Sequence, residues 1–114
     1  MPDYPHHLRS FDYRGQHRYF LTFCTFERQS HFAIRRHVEV TLANILRASG
    51  VADVAIPAYC FMPDHVHLLV EGVSGQACLK TFVSLAKQLS GFHFKREFGR
   101  RLWQRYGYER VLRE

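Results

Sequence analysis

Apolar and polar positions along the 114 residues change period several times, and each change marks an element. Arg18 to Phe26 (Arg-Tyr-Phe-Leu-Thr-Phe-Cys-Thr-Phe) is dense in aromatic and β-branched residues and has no breaker, which predicts a strand. Both of its alternating sets hold apolar residues, so cover on both faces is expected. From Phe32 to Ala48 the residues Phe32, Ile34, Val38, Leu42, Ile45 and Leu46 fall near helical spacing, and Gly50 stands where a left-handed cap would end the helix. Val51 to Met62 returns to strand character, with Pro57 arguing for an edge position, a bulge or a delayed start. Pro63-Asp64 fits a tight hairpin turn, and Val66 to Val70 reads as the next strong strand. After the break at Gly72 to Gly75, Leu79, Phe82, Val83, Ala86, Leu89, Phe92 and Phe94 give a second helix, Gln76 to Phe98, a wide apolar face that Gly91 weakens locally. Beyond Gly99 a basic stretch leads into Trp103, Tyr106, Tyr108, Val111 and Leu112, read as a final strand, while residues 1–17 read as an irregular arm.

The order strand, helix, strand, strand, helix, strand is that of an α+β chain of the ferredoxin-like, split β-α-β kind. Its sheet is antiparallel and both helices lie on one face. The length suits one domain with a single core. An apolar fraction of 46% excludes a disordered chain. No apolar run approaches the roughly 18 residues of a membrane span, and the N-terminus lacks a signal-peptide pattern, so a cytoplasmic protein is expected. Cys24, Cys60 and Cys78 lie far apart and form no Cys-x-x-Cys pair, which argues against a disulfide framework or zinc ribbon. The two in apolar segments read as small core residues.

Charge adds a partner class. Sixteen Lys and Arg face ten Asp and Glu, and thirteen of the sixteen are arginines, whose planar fork suits phosphate oxygens. A net charge of +6 favours an anionic partner, of which nucleic acid is the commonest, although many non-binding domains carry a similar excess. Lys95, Arg96, Arg100, Arg101, Arg105, Arg110 and Arg113 cluster near the C-terminus with Trp103, Tyr106 and Tyr108 among them. Cations beside rings are the composition that holds unpaired strands. A solvated basic loop with its aromatics turned inward stays open for the rings, while DNA contact is favoured for Arg100, Arg101 and Arg105. Lys87, Arg9 and Arg14 are secondary candidates.

The most specific chemistry lies in His65-Val66-His67. Residues two apart on a strand point to the same side, so the two imidazoles are presented together and Val66 turns the other way. Paired imidazoles are poor core residues and good ligands for a divalent metal, given further ligands from elsewhere. A chance pair on an exposed sheet face is the alternative. Asp64 invites a role as ligand or base, but a turn aspartate more often bonds its own backbone, and that reading is preferred.

The segment Tyr59-Cys60-Phe61-Met62-Pro63-Asp64-His65-Val66-His67-Leu68-Leu69-Val70 resembles the signature of the HUH single-tyrosine (insertion-sequence-200-like) transposases, most of all the REP-associated tyrosine transposases. Tyr19 to Phe23, Phe82 to Leu89 around Lys87, and Leu102-Trp103-Gln104-Arg105 fit the same family in the same order. The resemblance implies that His65 and His67 help bind Mg²⁺ or Mn²⁺, and that the ion polarises the scissile phosphate of single-stranded DNA. It further implies that a tyrosine hydroxyl attacks the phosphorus and stays joined to the 5′ end, storing the ester for rejoining without ATP. Single-stranded or hairpin DNA is the implied partner, and monomer and homodimer both stay open.

The chain departs from that pattern in one respect. The relatives carry their nucleophilic tyrosine and a further metal ligand on a helix after the final strand, whereas this sequence reads to Glu114 without it. A chain truncated before that helix is expected, with Tyr106 and Tyr108 as weak substitutes. The leading expectation is a transposase domain for metal-dependent cleavage and rejoining of DNA. A catalytically inert hairpin-DNA or RNA binder competes with it, and a histidine-metal protein unrelated to nucleic acid ranks third.

Overall fold

The computed structural model describes residues 15–105 and the backbone of Leu112–Arg113. Three long strands, β1 (Arg18–Cys24), β2 (Val54–Met62) and β3 (His65–Gly72), and two helices, α1 (Arg35–Ala52) and α2 (Leu79–Phe98), make an α+β fold. The sheet is antiparallel in the order β2-β3-β1-β4, where β4 is the two-residue pairing of Leu112–Arg113 with Phe20 and Tyr19 of β1. Tyr106 and Tyr108 lie outside the described residues, as do Arg9, Arg14 and most of the arm. Among the described residues no helix is long and apolar enough to cross a membrane.

Alternation along the strands builds one side of the core. Tyr19, Leu21 and Phe23 of β1 and Val66, Leu68 and Val70 of β3 are buried and join Ile45 and Ala48 of α1 with Phe82, Val83, Ala86 and Phe94 of α2. Burying each of the larger side chains contributes roughly 1.5–3 kcal/mol. The other set on β1 is not covered as expected: Phe20 is 45% exposed, so this strand is buried on one face. Tyr59 is 51% exposed for a related reason, because β2 is the edge strand and the helices do not cover its outer part. Pro57 sits in the register shift between Ala55 and Ala58, where a missing N–H does least harm to the ladder.

Helix α1 departs from its predicted ends. Residues His31–Ala33 form a separate short turn, and α1 starts at Arg35, passes through Gly50 and stops at Asp53, which adopts left-handed φ 60°, ψ 44°. One local and two tertiary bonds reward that conformation. Asp53 N–H donates to Ser49 O, Asp53 O accepts from Val73 N–H at 3.2 Å, and the Asp53 carboxylate accepts from the Ser74 hydroxyl. The buried face is also more polar than the spacing indicated, carrying His37, Thr41, Asn44 and Ser49, while Ile34 and Leu46 are exposed. Asn44 donates to Val40 O and Ser49 to Leu46 O, so helical carbonyls satisfy these side chains locally. Helix α2 begins at Leu79 and is closed by Gly99 at φ 71°, whose N–H donates to Lys95 O at 2.8 Å. Gly72 is required by close approach: a Cβ there would fall 1.9 Å from Gly15 O.

The stretch after α2 is tied down from inside. Trp103 is 6% exposed, meets Phe23 edge-on at 5.5 Å, and donates its indole N–H to Ser90 Oγ at 2.8 Å. It is a core residue, and the inward alternative applies to this ring. His31, 3% exposed, donates from Nε2 to Arg101 O at 3.1 Å, and His37 donates from Nδ1 to His31 O at 2.8 Å. Both rings pack on Phe94. Burial pushes His31 below the ordinary histidine value, the Arg101 carbonyl opposes this, and the nearby His37 and Arg100 charges add to it.

Two outcomes follow from this packing. Phe82→Ala should cost about 3–5 kcal/mol in urea unfolding, while Phe92→Ala, at a ring 61% exposed, should cost about 0.5 kcal/mol or less. Equal losses would show that the core is drawn wrongly. His31 in the unfolded chain takes up a proton near pH 6.5, and in the folded protein only at lower pH. Its contribution to stability is therefore complete above about pH 6.5 and is lost as pH falls through the depressed folded value. His31→Gln should flatten the fall in unfolding midpoint between about pH 7.5 and 5.5, and an identical fall in both proteins would refute the assignment.

Candidate metal centre

The site begins with a register. In the β1–β3 ladder Thr22 pairs with His67, Phe23 with Val66 and Cys24 with His65. On the other side of β3, Cys60 pairs with His67 and Met62 with His65. Val66 is fully buried among the core residues, so the strand period turns His65 and His67 to the opposite, open side of the sheet. The expected placement of the pair and of Val66 is what the fold shows.

The two rings converge. His65 Nε2 and His67 Nε2 lie 3.1 Å apart, and the ring centroids are 4.7 Å apart at 81°. Adjacent ligands on an octahedral ion at about 2.1 Å stand about 3.0 Å from each other, so this spacing suits joint ligation of one divalent cation. The remaining nitrogens are engaged from outside. His65 Nδ1 lies 2.7 Å from Asp64 Oδ1, and His67 Nδ1 lies 3.0 Å from Thr22 Oγ1. Outer partners of this type orient ligating imidazoles.

The Asp64 carboxylate reaches side chains beyond its own turn backbone. Its Oδ2 accepts from Arg28 Nε at 2.9 Å while Oδ1 faces His65, and its backbone carbonyl accepts from Thr25. Arg28 and then His65 hold its carboxyl below the usual carboxylate range, and Asp64 raises Arg28 in turn. Sequence reasoning preferred a self-contained turn aspartate. The partner it missed, Arg28, lies 36 positions away and is brought close by the β1–β3 register. Among the described residues no group of three or more His, Cys, Asp or Glu gathers to hold a metal.

Around the pair the open side is mixed in character. A cleft of about 420 Å³ beside His67 is lined by Phe20, Thr22, Ala58, Cys60 and Leu69. Cys60 is exposed, and Cys24 and Cys78 are half-buried, so none of the three cysteines is a fully buried core residue. Tyr59 pairs with Leu68 and meets the Phe61 ring at 6.0 Å, so the strand alternation sends it away from His67.

The basic residues divide into two groups. Lys95, Arg96, Arg100 and Arg105 are exposed near the end of α2 and the segment after it. Arg101 is exposed too, but its guanidinium lies 4.6 Å over the Phe26 ring and Nε donates to Trp103 O at 3.1 Å. Lys87 is half-buried, with Nζ 3.5 Å from Gln104 O and 5.7 Å from the Phe23 ring centroid. Arg96 also lines a groove between the helices with Arg36, Arg47 and His93, where Arg36 is held by Glu97 through bonds of 2.9 and 3.1 Å.

Comparison with known proteins bears on these features. The crystal structure of a candidate transposase from Deinococcus radiodurans R1 superposes with a TM-score of 0.72 at 21% identity, over 90% of this chain and 82% of that one. A REP-associated tyrosine transposase bound to a REP hairpin superposes with a TM-score of 0.69 at 18% identity. That match takes in all of this chain and 64% of the other, and both structures share the fold described above. No curated protein matches the sequence. The family described as "Transposase IS200 like" matches residues 13–111, a stretch that includes the three long strands and both helices. The chain belongs to the IS200-like transposase family.

Proposed function

We propose that this chain binds single-stranded or hairpin DNA and serves metal-dependent, tyrosine-mediated cleavage and rejoining of that DNA. The observation that carries the reading is the convergence of His65 and His67, with Nε2 atoms 3.1 Å apart and both Nδ1 atoms engaged by Asp64 and Thr22. His65 and His67 would hold Mg²⁺ or Mn²⁺, with the remaining positions left to water, to a DNA phosphate or to residues not described. When bound, the ion would supply Lewis-acid polarisation of the scissile phosphate. Imidazole is a modest ligand for Mg²⁺, so affinity should be weak without DNA.

The remaining steps belong to the protein and the DNA. A tyrosine hydroxyl would form a bond to phosphorus as the bond to the 3′ oxygen breaks, which exchanges one phosphoester for another. Tyr106 and Tyr108 are candidates that the described residues do not include. Tyr19 is buried in the core and Tyr59 turns away from His67, so neither described tyrosine faces the pair. That observation favours a second reading, a hairpin-DNA or RNA binder without chemistry of its own. Exposed Lys95, Arg96, Arg100 and Arg105 would carry phosphate contacts in either case, with Arg101 secondary because its guanidinium lies over Phe26 and Lys87 secondary because it is half-buried. We further read the two helices and the sheet order as the ferredoxin-like split β-α-β topology, with β4 as its fourth strand.

Mn²⁺ should raise the thermal midpoint of the parent, and His65→Ala combined with His67→Ala should abolish that rise. An undiminished rise in the double variant removes the site. With a labelled hairpin oligonucleotide and Mn²⁺, a covalent protein–DNA adduct supports the cleavage reading, while binding without cleavage supports the second. Affinity for the same hairpin should fall steeply with salt. Arg100→Ala with Arg105→Ala should reduce the log–log salt slope by about 1–2, and a slope equal to the parent's would exclude them as phosphate contacts.

A further inference from the structure

The two histidines are not equivalent, and their difference follows from what each can donate. Arg28 Nε donates to Asp64 Oδ2 at 2.9 Å, which marks the Asp64 group as a carboxylate that only accepts. Its Oδ1, 2.7 Å from His65 Nδ1, therefore faces a ring N–H. A neutral imidazole has one donor and one acceptor, so His65 Nε2 presents a lone pair whether or not a metal is nearby.

His67 Nε2 stands 3.1 Å from that lone pair. Two lone pairs would repel at such a distance, so in the absence of a cation His67 carries its proton on Nε2 and donates it to His65. His67 Nδ1 is then an acceptor, and the group facing it at 3.0 Å is the Thr22 hydroxyl, which donates. A cation drawn to both Nε2 atoms needs the opposite tautomer of His67. Nε2 gives one proton to water, Nδ1 takes one from water, and the ring stays neutral. Nδ1–H must then find an acceptor in place of a donor. A hydroxyl is the smallest side-chain group that serves both roles, because only its hydrogen has to rotate. The β1–β3 register keeps the oxygen where it is throughout, since Thr22 is the direct partner of His67 in the ladder.

We propose that Thr22 is a positioning residue that lets His67 change tautomer as a divalent cation arrives, while Asp64, anchored by Arg28, keeps His65 fixed in its binding tautomer. The proposal rests on the metal reading of the pair and adds residues that the His-x-His motif does not contain. One ring is pre-set by a carboxylate and the other is adjustable through a hydroxyl. Both partners come from outside β3, one from its preceding turn and one from β1.

The test compares the parent with Thr22→Val, Thr22→Ser and the His65→Ala/His67→Ala double variant. Valine matches threonine in shape and suits a strand, and serine restores the hydroxyl. Ring-nitrogen NMR at about pH 7.5, above the ordinary histidine range, reads the tautomers, with Zn²⁺ as a diamagnetic probe that favours imidazole. Metal-free protein should show His65 protonated at Nδ1 and His67 at Nε2, and Zn²⁺ should move the His67 proton to Nδ1. Calorimetric Zn²⁺ and Mn²⁺ affinity should fall about tenfold or more in Thr22→Val and return to within about threefold of the parent in Thr22→Ser. Parent-like affinity in Thr22→Val, or His67 already protonated at Nδ1 without metal, overturns the role of Thr22 and leaves the metal reading standing. Parent-like affinity in the histidine double variant overturns the metal reading, and this proposal with it.

Discussion

The antiparallel pairing of β1 with β3 is the constraint on which the rest of this molecule depends. Because side chains alternate along a strand, one register decides both what is buried and what is presented. With Phe23 opposite Val66, the residues Leu21, Phe23, Val66, Leu68 and Val70 all enter the core, each 1% exposed or less. The same alignment sets Thr22 beside His67 and Cys24 beside His65 on the other side. A slip of one residue would expose the core set and bury two imidazoles, losing roughly 1.5–3 kcal/mol for each large apolar side chain. The histidine pair is thus held in place by hydrophobic burial on the far face of its own strand.

That arrangement leaves polar groups whose partners must come from distant segments. The hairpin turn lends Asp64 to His65, β1 lends Thr22 to His67, and the turn after β1 lends Arg28 to Asp64. Each side chain is unremarkable in sequence, and together they leave both Nε2 atoms facing one point. The same logic operates in the interior, where His31, His37, Ser90 and the indole of Trp103 bond to backbone or to one another. These bonds secure the segment after α2 against the core, so the exposed cations Arg100 and Arg105 extend from a fastened stretch of chain.

Internal use of charge also limits what the net charge of +6 conveys. Arg28 serves Asp64, Arg36 serves Glu97, and Arg101 lies over Phe26. Composition counts these engaged cations equally with all the others. An ion pair or a ring contact formed across the fold leaves no local trace in sequence, since the partners are tens of positions apart.

Local physics made much of this protein legible beforehand. Runs of aromatic and β-branched residues identified the strands, the period of two turned His65 and His67 to one side, and the resemblance of residues 59–70 pointed to the transposase family to which the chain belongs. Gly99, needed at positive φ, marked the end of α2 correctly. Other features were decided only by the tertiary structure. Gly50 does not end α1, because Asp53 gains bonds from Val73 and Ser74 that residues 50–53 alone do not reveal. Tyr59 is exposed because β2 is an edge strand, and Trp103 is buried because Ser90 waits beneath it for the indole N–H. The sequence by itself determined the period of each element and the direction of the two histidines, since both follow from backbone geometry within a few residues. Only the assembled sheet decided which groups meet their outer nitrogens, because cross-strand partnership is set by the packing of the whole core.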